Sequence, residues 1–204
     1  MAEKRTVSKR QLEIQLGRLG IFQAPKLGLE QYPVSPEVAA ELLYMAGFEH
    51  RDLKGETIDL GTGTGRLAIG AAIIGSVKVV GVDIDETAIA LARENAVAAG
   101  VQVEWLVSDI DDVEGKYDTV IMNPPYGTRS PHLDVRFLER AFELAPISYS
   151  IHKSSTRDYL RGVIAKKGRR VDAVRSMSLN IPNLFPFHHK KWENVKVDLY
   201  RIIS

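Results

Sequence analysis

Thr57-Ile58-Asp59-Leu60-Gly61-Thr62-Gly63-Thr64-Gly65-Arg66-Leu67-Ala68-Ile69-Gly70-Ala71-Ala72-Ile73-Ile74 decides the fold. A short apolar run, a glycine-rich turn and an apolar helical run follow one another, which reads as strand, turn and helix. Alternate glycines let the main chain turn sharply and let a ligand approach the backbone closely. Asp59 stands just before them, at the strand end. The spacing is D-x-G-x-G-x-G, not the G-x-G-x-x-G of dinucleotide sites.

Downstream the alternation continues. A second strand over 77–82 ends in Asp83, roughly 20 residues past the glycines, where a carboxylate can accept both hydroxyls of a ribose. Ile84 follows, then a helix over 87–99. A third strand over 101–107 ends in Ser108-Asp109. The fourth apolar run, 118–122, ends in Asn123-Pro124-Pro125-Tyr126. Strands and helices alternating at this length imply an α/β fold with a parallel, doubly wound sheet. Packing gives a core strand no reason to end in a polar group, yet four end in Asp59, Asp83, Asp109 and Asn123. In open α/β sheets, ligands bind outside these carboxyl ends.

Asn123-Pro124-Pro125-Tyr126 adds a chemical reading. The two prolines hold the backbone extended, so its carbonyls are aimed. The Asn123 side-chain oxygen and a neighbouring backbone carbonyl can accept two hydrogen bonds from one NH2 group. Tyr126 offers a flat face to the planar group that carries it. A nucleobase or a carboxamide fits that description.

The flanks complete the pattern. Residues 1–20 read as a helix starting at Val7-Ser8, with Leu12, Leu16 and Leu19 on one face. Residues 21–34 form a loop, either a connection or a flap over a site. Pro36 opens a helix capped by Ser35, with Val38, Leu42 and Met45 as its buried stripe and Gly47 as its end. After Asn123 come a helix over 134–145, a strand over 147–151 and a helix over 157–166, with Ser154, Ser155 and Thr156 as caps. A strand reaching 178 and a last one over 195–203 can form an antiparallel hairpin at the sheet edge.

At 204 residues the chain suits one domain, 1–204, with N-terminal helices and flap over 1–50 and the core over 51–204. Hydrophobic content of 45% and charged content of 26% are those of a globular protein. The net charge of +1 means that any nucleic-acid surface is local. The absence of cysteine excludes disulfides, thiolate metal sites and Cys nucleophiles. No apolar run is long enough for a bilayer and no signal region follows the charged start, so a cytoplasmic protein is expected. The pair His188-His189 lacks a third ligand at sensible spacing, so no metal site is expected.

The glycine loop resembles the S-adenosylmethionine loop of the class I methyltransferases, whose sheet is Rossmann-like: seven strands, mostly parallel, one antiparallel C-terminal strand, helices on both faces. That resemblance implies S-adenosyl-L-methionine as cofactor. Asp83 would hold the ribose, and Asp109 would accept from the adenine amine with Ile84 against the ring. Asp59 and the glycine backbone (Gly61, Gly63, Gly65) would position the methionine end. Asn123-Pro124-Pro125-Tyr126 resembles the fourth motif of amino-group methyltransferases. Further stretches, Leu29 to Pro33, Ile121 to Thr128, His152 to Arg157, Phe187 to Lys191 and Val197 to Leu199, resemble the methyltransferase-like protein 5 family over nearly the whole chain. That family methylates an adenosine N6 in small-subunit ribosomal RNA, and its eukaryotic members work with a zinc-binding Trm112-type activator. Carried over, Gln31, Gly61, Thr64, Asp83, Ile84 and Asp109 would contact the cofactor, and Asn123 to Tyr126 the target base. Val34 stands where eukaryotic relatives have Thr, and Tyr126 replaces Phe. With an RNA substrate implied, Lys153, Arg157, His188, His189, Lys190 and Lys191 become phosphate contacts. The third strand, with Val101, Val103 and Trp105 alternating, would be an open edge able to take the activator. Competing readings are a release-factor glutamine-amide methyltransferase, a DNA adenine methyltransferase and a cofactor-binding scaffold without turnover.

Overall fold

The computed structural model describes residues 7–23, 25–31, 34–125, 132–182 and 192–204. Helix α1 (Lys9–Gly17) begins at Ser8, whose side chain accepts from the Gln11 amide while Gln11 reaches back to the Ser8 amide. It is shorter than the expected 1–20, of which residues 1–6 lie outside the described part. Helix α2 (Pro36–Tyr44) is capped by Ser35 as expected. It does not stop at Gly47, because a π-turn over Met45–Glu49 carries the chain on. Gly47 serves close packing instead: a Cβ there would stand 2.8 Å from Ile74 Cγ2.

Seven strands form one sheet: β1 (Glu56–Leu60), β2 (Lys78–Asp83), β3 (Glu104–Val107), β4 (Thr119–Met122), β5 (Ile147–Lys153), β6 (Arg170–Pro182) and β7 (Trp192–Ile203), in the order β3-β2-β1-β4-β5-β7-β6. The first five pair in parallel, and β7 runs antiparallel between β5 and β6. The expected mostly parallel seven-stranded sheet is therefore present, with the late hairpin at its edge.

Helices α3 (Arg66–Ile74), α4 (Glu86–Ala99), α5 (Leu133–Leu144) and α6 (Arg157–Lys166) connect the strands. Alternation along the strands splits the core in two. Val79, Ile121, Tyr149 and Leu199 face α1, α2 and α3. Val80, Val120, Met122 and Tyr200 face α5 and α6.

Two local expectations are corrected. The third strand covers 104–107, not 101–107. Gly100 ends α4 with φ of 68° and the Val101 amide still bonds back to the Ala96 carbonyl at 3.1 Å, so the chain is closing a helix there. Val101, Val103 and Trp105 do alternate with exposed neighbours and share one half-buried face, on which the Trp105 ring covers the backbone at Gly81 and Gly65. Ser154 to Thr156 form a 3-10 turn, and none caps α6 through its side chain. Ser154 donates to Asp198 and Thr156 to the Lys153 carbonyl, so their hydroxyls are used elsewhere.

A side chain at Gly81 would overlap the Trp105 ring. Gly81→Val is expected to cost about 1–3 kcal/mol through overpacking, read as a lower urea midpoint with unchanged slope. An unchanged midpoint would mean that the ring does not lie on Gly81.

Candidate active site

The carboxyl ends of β1, β2 and β4 surround a cavity of about 210 Å³. Gln31, Asp59, Gly61, Gly63, Thr64, Asp83, Ile84, Asp109, Asn123 and Pro125 all stand on its wall. Eight of the nine residues expected to meet a cofactor are thus together. The ninth, Gly65, is off the wall. It starts α3 with φ of 82°, and a Cβ there would lie 2.7 Å from Trp105 and 3.0 Å from Ala92. The missing side chain there makes room for Trp105 and Ala92.

Gly61 and Gly63 have φ of 67° and 54°, a region that L side chains rarely adopt. A Cβ on Gly61 would also meet Phe137 at 2.9 Å. The bare loop therefore leaves backbone open to a ligand.

Asp59 is 1% exposed. Its Oδ2 accepts from Thr62 Oγ1 at 2.6 Å and from the Ala68 amide at 3.0 Å. Its Oδ1 has no partner among the described residues. Burial, with Asp83 nearby, pushes its carboxyl up to about 7. Asp83 accepts from the Gly63 amide at 2.8 Å and from the Asp85 amide at 2.9 Å. Burial raises its carboxyl too, against those bonds.

Asp109 sits apart, capping a short turn over Ile110–Asp112. The Arg136 guanidinium bridges Asp109 and Asp111, reaching the latter at 2.7 Å. Asp109 therefore meets any ligand with a cation already beside it, a feature that residue spacing does not reveal.

The expected flap crosses one side of the cavity through Gly28, Leu29, Glu30 and Gln31. It is fastened to Asp85, the cap of α4. Lys26 Nζ reaches Asp85 Oδ1 at 2.7 Å and Gln31 Nε2 reaches Oδ2 at 2.7 Å. Burial works to raise the Asp85 carboxyl, but the bonds from Lys26, Thr87 and Gln31 outweigh it and hold it well below the usual range. Glu30 takes φ of 48° and is buried on the cavity side. So Gln31 stands on the wall, and its side chain also ties the flap. Asp85 could be found as a cap preceding Glu86-Thr87. Its hold on the flap depends on tertiary structure.

Asn123 follows β4 directly, and Pro124 is buried behind it. Beyond it Tyr126 lies outside the described residues, as do His188, His189, Lys190 and Lys191. Beside β4, His152 is 2% exposed and bonds Ser150 Oγ at 2.6 Å. Burial lowers it to about 3, so it is neutral at ordinary pH. Lys153 ends β5. Arg157 grips the buried Asp198 through two bonds of 2.7 Å and 2.6 Å. Burial tends to raise Asp198, but its bonds from Arg157, Ser176 and Ser154 hold it at about 2. Also on the wall, and not expected, are Phe22, Arg66, Arg136 and Phe137. Among the described residues no group of His, Asp or Glu has metal-binding geometry, and no helix is long and apolar enough to cross a membrane.

A buried carboxylate oxygen without a partner among the described residues, a second carboxylate and an exposed glycine backbone fit a nucleoside carrying an amino-acid tail, such as S-adenosylmethionine. Residues 37–146 match the methyltransferase small domain family. The Drosophila melanogaster rRNA N(6)-adenosine-methyltransferase Mettl5 is 36% identical over 201 residues, 94% of each chain. A crystal structure from Pyrococcus horikoshii, described as a candidate RNA methyltransferase, superposes with a TM-score of 0.90 at 34% identity, over 97% of this chain and 98% of that one. A Methanocaldococcus jannaschii protein named as a candidate N5-glutamine methyltransferase is 35% identical over 102 residues, half of each chain. The Mettl5 and Pyrococcus horikoshii matches run over nearly the whole chain, and the chain belongs to the methyltransferase-like protein 5 family of S-adenosylmethionine-dependent methyltransferases.

Proposed function

We propose that the chain methylates the N6 amine of an adenosine in small-subunit ribosomal RNA. The observation that carries this reading is the shared wall: Asn123 and Pro125 stand on the same cavity as Asp59, Asp83 and the glycine loop. A methyl donor and an NH2-bearing acceptor can meet there. The donor supplies an electrophilic methyl group. This chain's residues supply alignment, which accounts for much of the acceleration in such transfers.

An aromatic amine's lone pair is delocalised into its ring and must be localised before attack. The Asn123 side-chain oxygen and the Pro124 carbonyl accept its two hydrogens and favour a pyramidal nitrogen. Tyr126 stacks on the base and holds it out of its helix, worth about 1–3 kcal/mol. Asn123 is no base, so the proton leaves to solvent after transfer. Asp83 takes the ribose of the donor, Asp109 the adenine amine with Ile84 on the ring, and Asp59 the ammonium of the methionine tail.

Lys153 and the 188–191 stretch are the proposed RNA contacts. Arg157 belongs with them in sequence, although two of its donors already hold Asp198. A Trm112-type zinc-binding activator is the proposed partner at β3. The supporting observation is that β3 is the sheet edge, beside a groove that includes Val77, Val97, Val101 and Val103. Val77 and Val97 are 80% and 81% exposed. Crosslinks from such a partner are expected on residues 101–107 and the neighbouring Val77 and Val97; crosslinks confined to β6 would remove it from this edge.

The second reading is a glutamine amide in a release factor, because Asn-Pro-Pro-Tyr suits that NH2 as well. The half-length match to the glutamine-type relative weighs against it. Labelled-methyl transfer to undermethylated small-subunit RNA, with nucleoside digestion, separates the two. N6-methyladenosine is expected; label in a release-factor glutamine instead would replace our reading.

Two variants test the roles. Asn123→Ala is expected to abolish transfer and keep cofactor affinity. Retained transfer would make the motif structural. Asp59 titrates at about 7, and an ammonium needs it charged. Cofactor affinity should therefore rise with pH through that value, changing by up to about tenfold per pH unit below it. Asp59→Asn should flatten that dependence in calorimetry. A wild-type affinity independent of pH would take Asp59 off the ammonium.

A further inference from the structure

Arg66 is the first residue of α3 and is 6% exposed. A guanidinium keeps its proton under any ordinary condition, even though burial lowers its pKa here. One of its terminal nitrogens donates to the Val34 carbonyl. Its Nε has no partner among the described residues. It also stands on the wall of the cavity, with Val34, Gly61 and Leu67. Glu37 acts on it only through space, and no carboxylate of the described residues pairs with it directly, so a buried cation with an unanswered donor is costly unless an anion completes it. The amino terminus of α3 adds partial positive charge in the same place.

The cavity thus has two buried, oppositely charged side chains, each with one polar atom that nothing in the described chain satisfies: Asp59 Oδ1 and Arg66 Nε. A neutral nucleoside could hydrogen-bond to either but would bring no countercharge to them. An amino-acid zwitterion has one pole for each. Among the parts of the methyl donor, only the methionine tail carries both an ammonium and a carboxylate.

We propose that Arg66 receives the carboxylate of the donor's methionine tail and makes the site selective for an intact amino-acid end. This rests on the S-adenosylmethionine reading of the cavity. Removing the carboxylate from the ligand leaves Arg66 Nε buried and unanswered, as removing the guanidinium leaves the carboxylate.

Calorimetry of the full chain with three ligands tests it: S-adenosylmethionine, its decarboxylated form and 5′-methylthioadenosine, which lacks the whole amino-acid tail. Wild type is expected to bind the first about ten- to hundredfold more tightly than the decarboxylated form, the factor set by one charge-assisted bond. Arg66→Met is expected to lose that factor for S-adenosylmethionine and to leave the other two affinities unchanged. Unchanged methylthioadenosine binding also shows that the variant is folded. Arg66→Lys, which keeps the charge and loses the fork, is expected to fall between. Equal loss for all three ligands in both variants would make Arg66 a support for Val34 and overturn the proposal. No loss for any of them would overturn it too. Failure of wild type to bind S-adenosylmethionine at all would strike the cofactor reading itself, a different result from either.

Discussion

The reversal of strand order beside β1 is the constraint on which the site depends. The chain lays β2 and then β3 outward on one side of β1, and returns to place β4 on the other. The connections on the two sides leave a crevice where the order reverses, and ligands of open α/β sheets bind there. Register makes the consequence specific. Leu60 pairs with Met122, so Gly61 and Asn123 are the next residues on neighbouring strands. The glycine loop and the Asn-Pro-Pro segment are thereby held side by side without any direct contact being required. The Thr62 amide bonds the Val82 carbonyl at 2.8 Å, and the Ser108 amide bonds the Asp83 carbonyl at 3.0 Å. These bonds tie the loop ends of three strands into one rim.

Much of this was readable from residues, because the strongest signals are local. The helices over 66–74 and 157–166 have the expected bounds, since apolar periodicity and a preceding turn determine them. The late antiparallel hairpin was readable for the same reason. What escaped depended on contacts distant in sequence. Gly65 looks like part of a ligand loop, but the Trp105 ring forty residues away needs its missing side chain. The start of the third strand was misplaced because Val101 to Val103 have strand composition while the chain is still completing the end of α4. Arg66 and Arg136 gave no signal at all: an arginine next to a glycine loop or on a helix is ordinary until its surroundings are known.

Counting basic residues was similarly limited. Arg157 falls in a basic stretch at a strand end, which suggests phosphate binding. In three dimensions its guanidinium answers Asp198, a carboxylate of 0% exposure. An uncompensated charge at that depth would cost several kcal/mol, so this arginine is engaged in holding β7 to α6 whatever else it touches. Lys26 similarly spends its charge on Asp85, tying the flap down. A net charge of +1 is therefore spread over pairings that no composition reveals.

The division of labour inside the cavity has a kinetic consequence. Asp59, Asp83 and Arg66, on the assignments made above, meet parts of the donor that do not change when the methyl group leaves. Such contacts bind reactant and transition state alike, and uniform binding lowers KM without raising kcat. Asn123 differs. On the proposed role, the amine it would grip changes from planar to pyramidal as the bond forms, so its hydrogen bonds would strengthen along the reaction. The burial that raises Asp59 and Asp83 is a cost borne before any ligand arrives, which the proposed contacts to the donor would recover. On those assignments it would set how firmly the donor is held and leave the rate of transfer to the end of β4. Damage to the tail-binding groups should appear in KM, and damage to Asn123 in kcat.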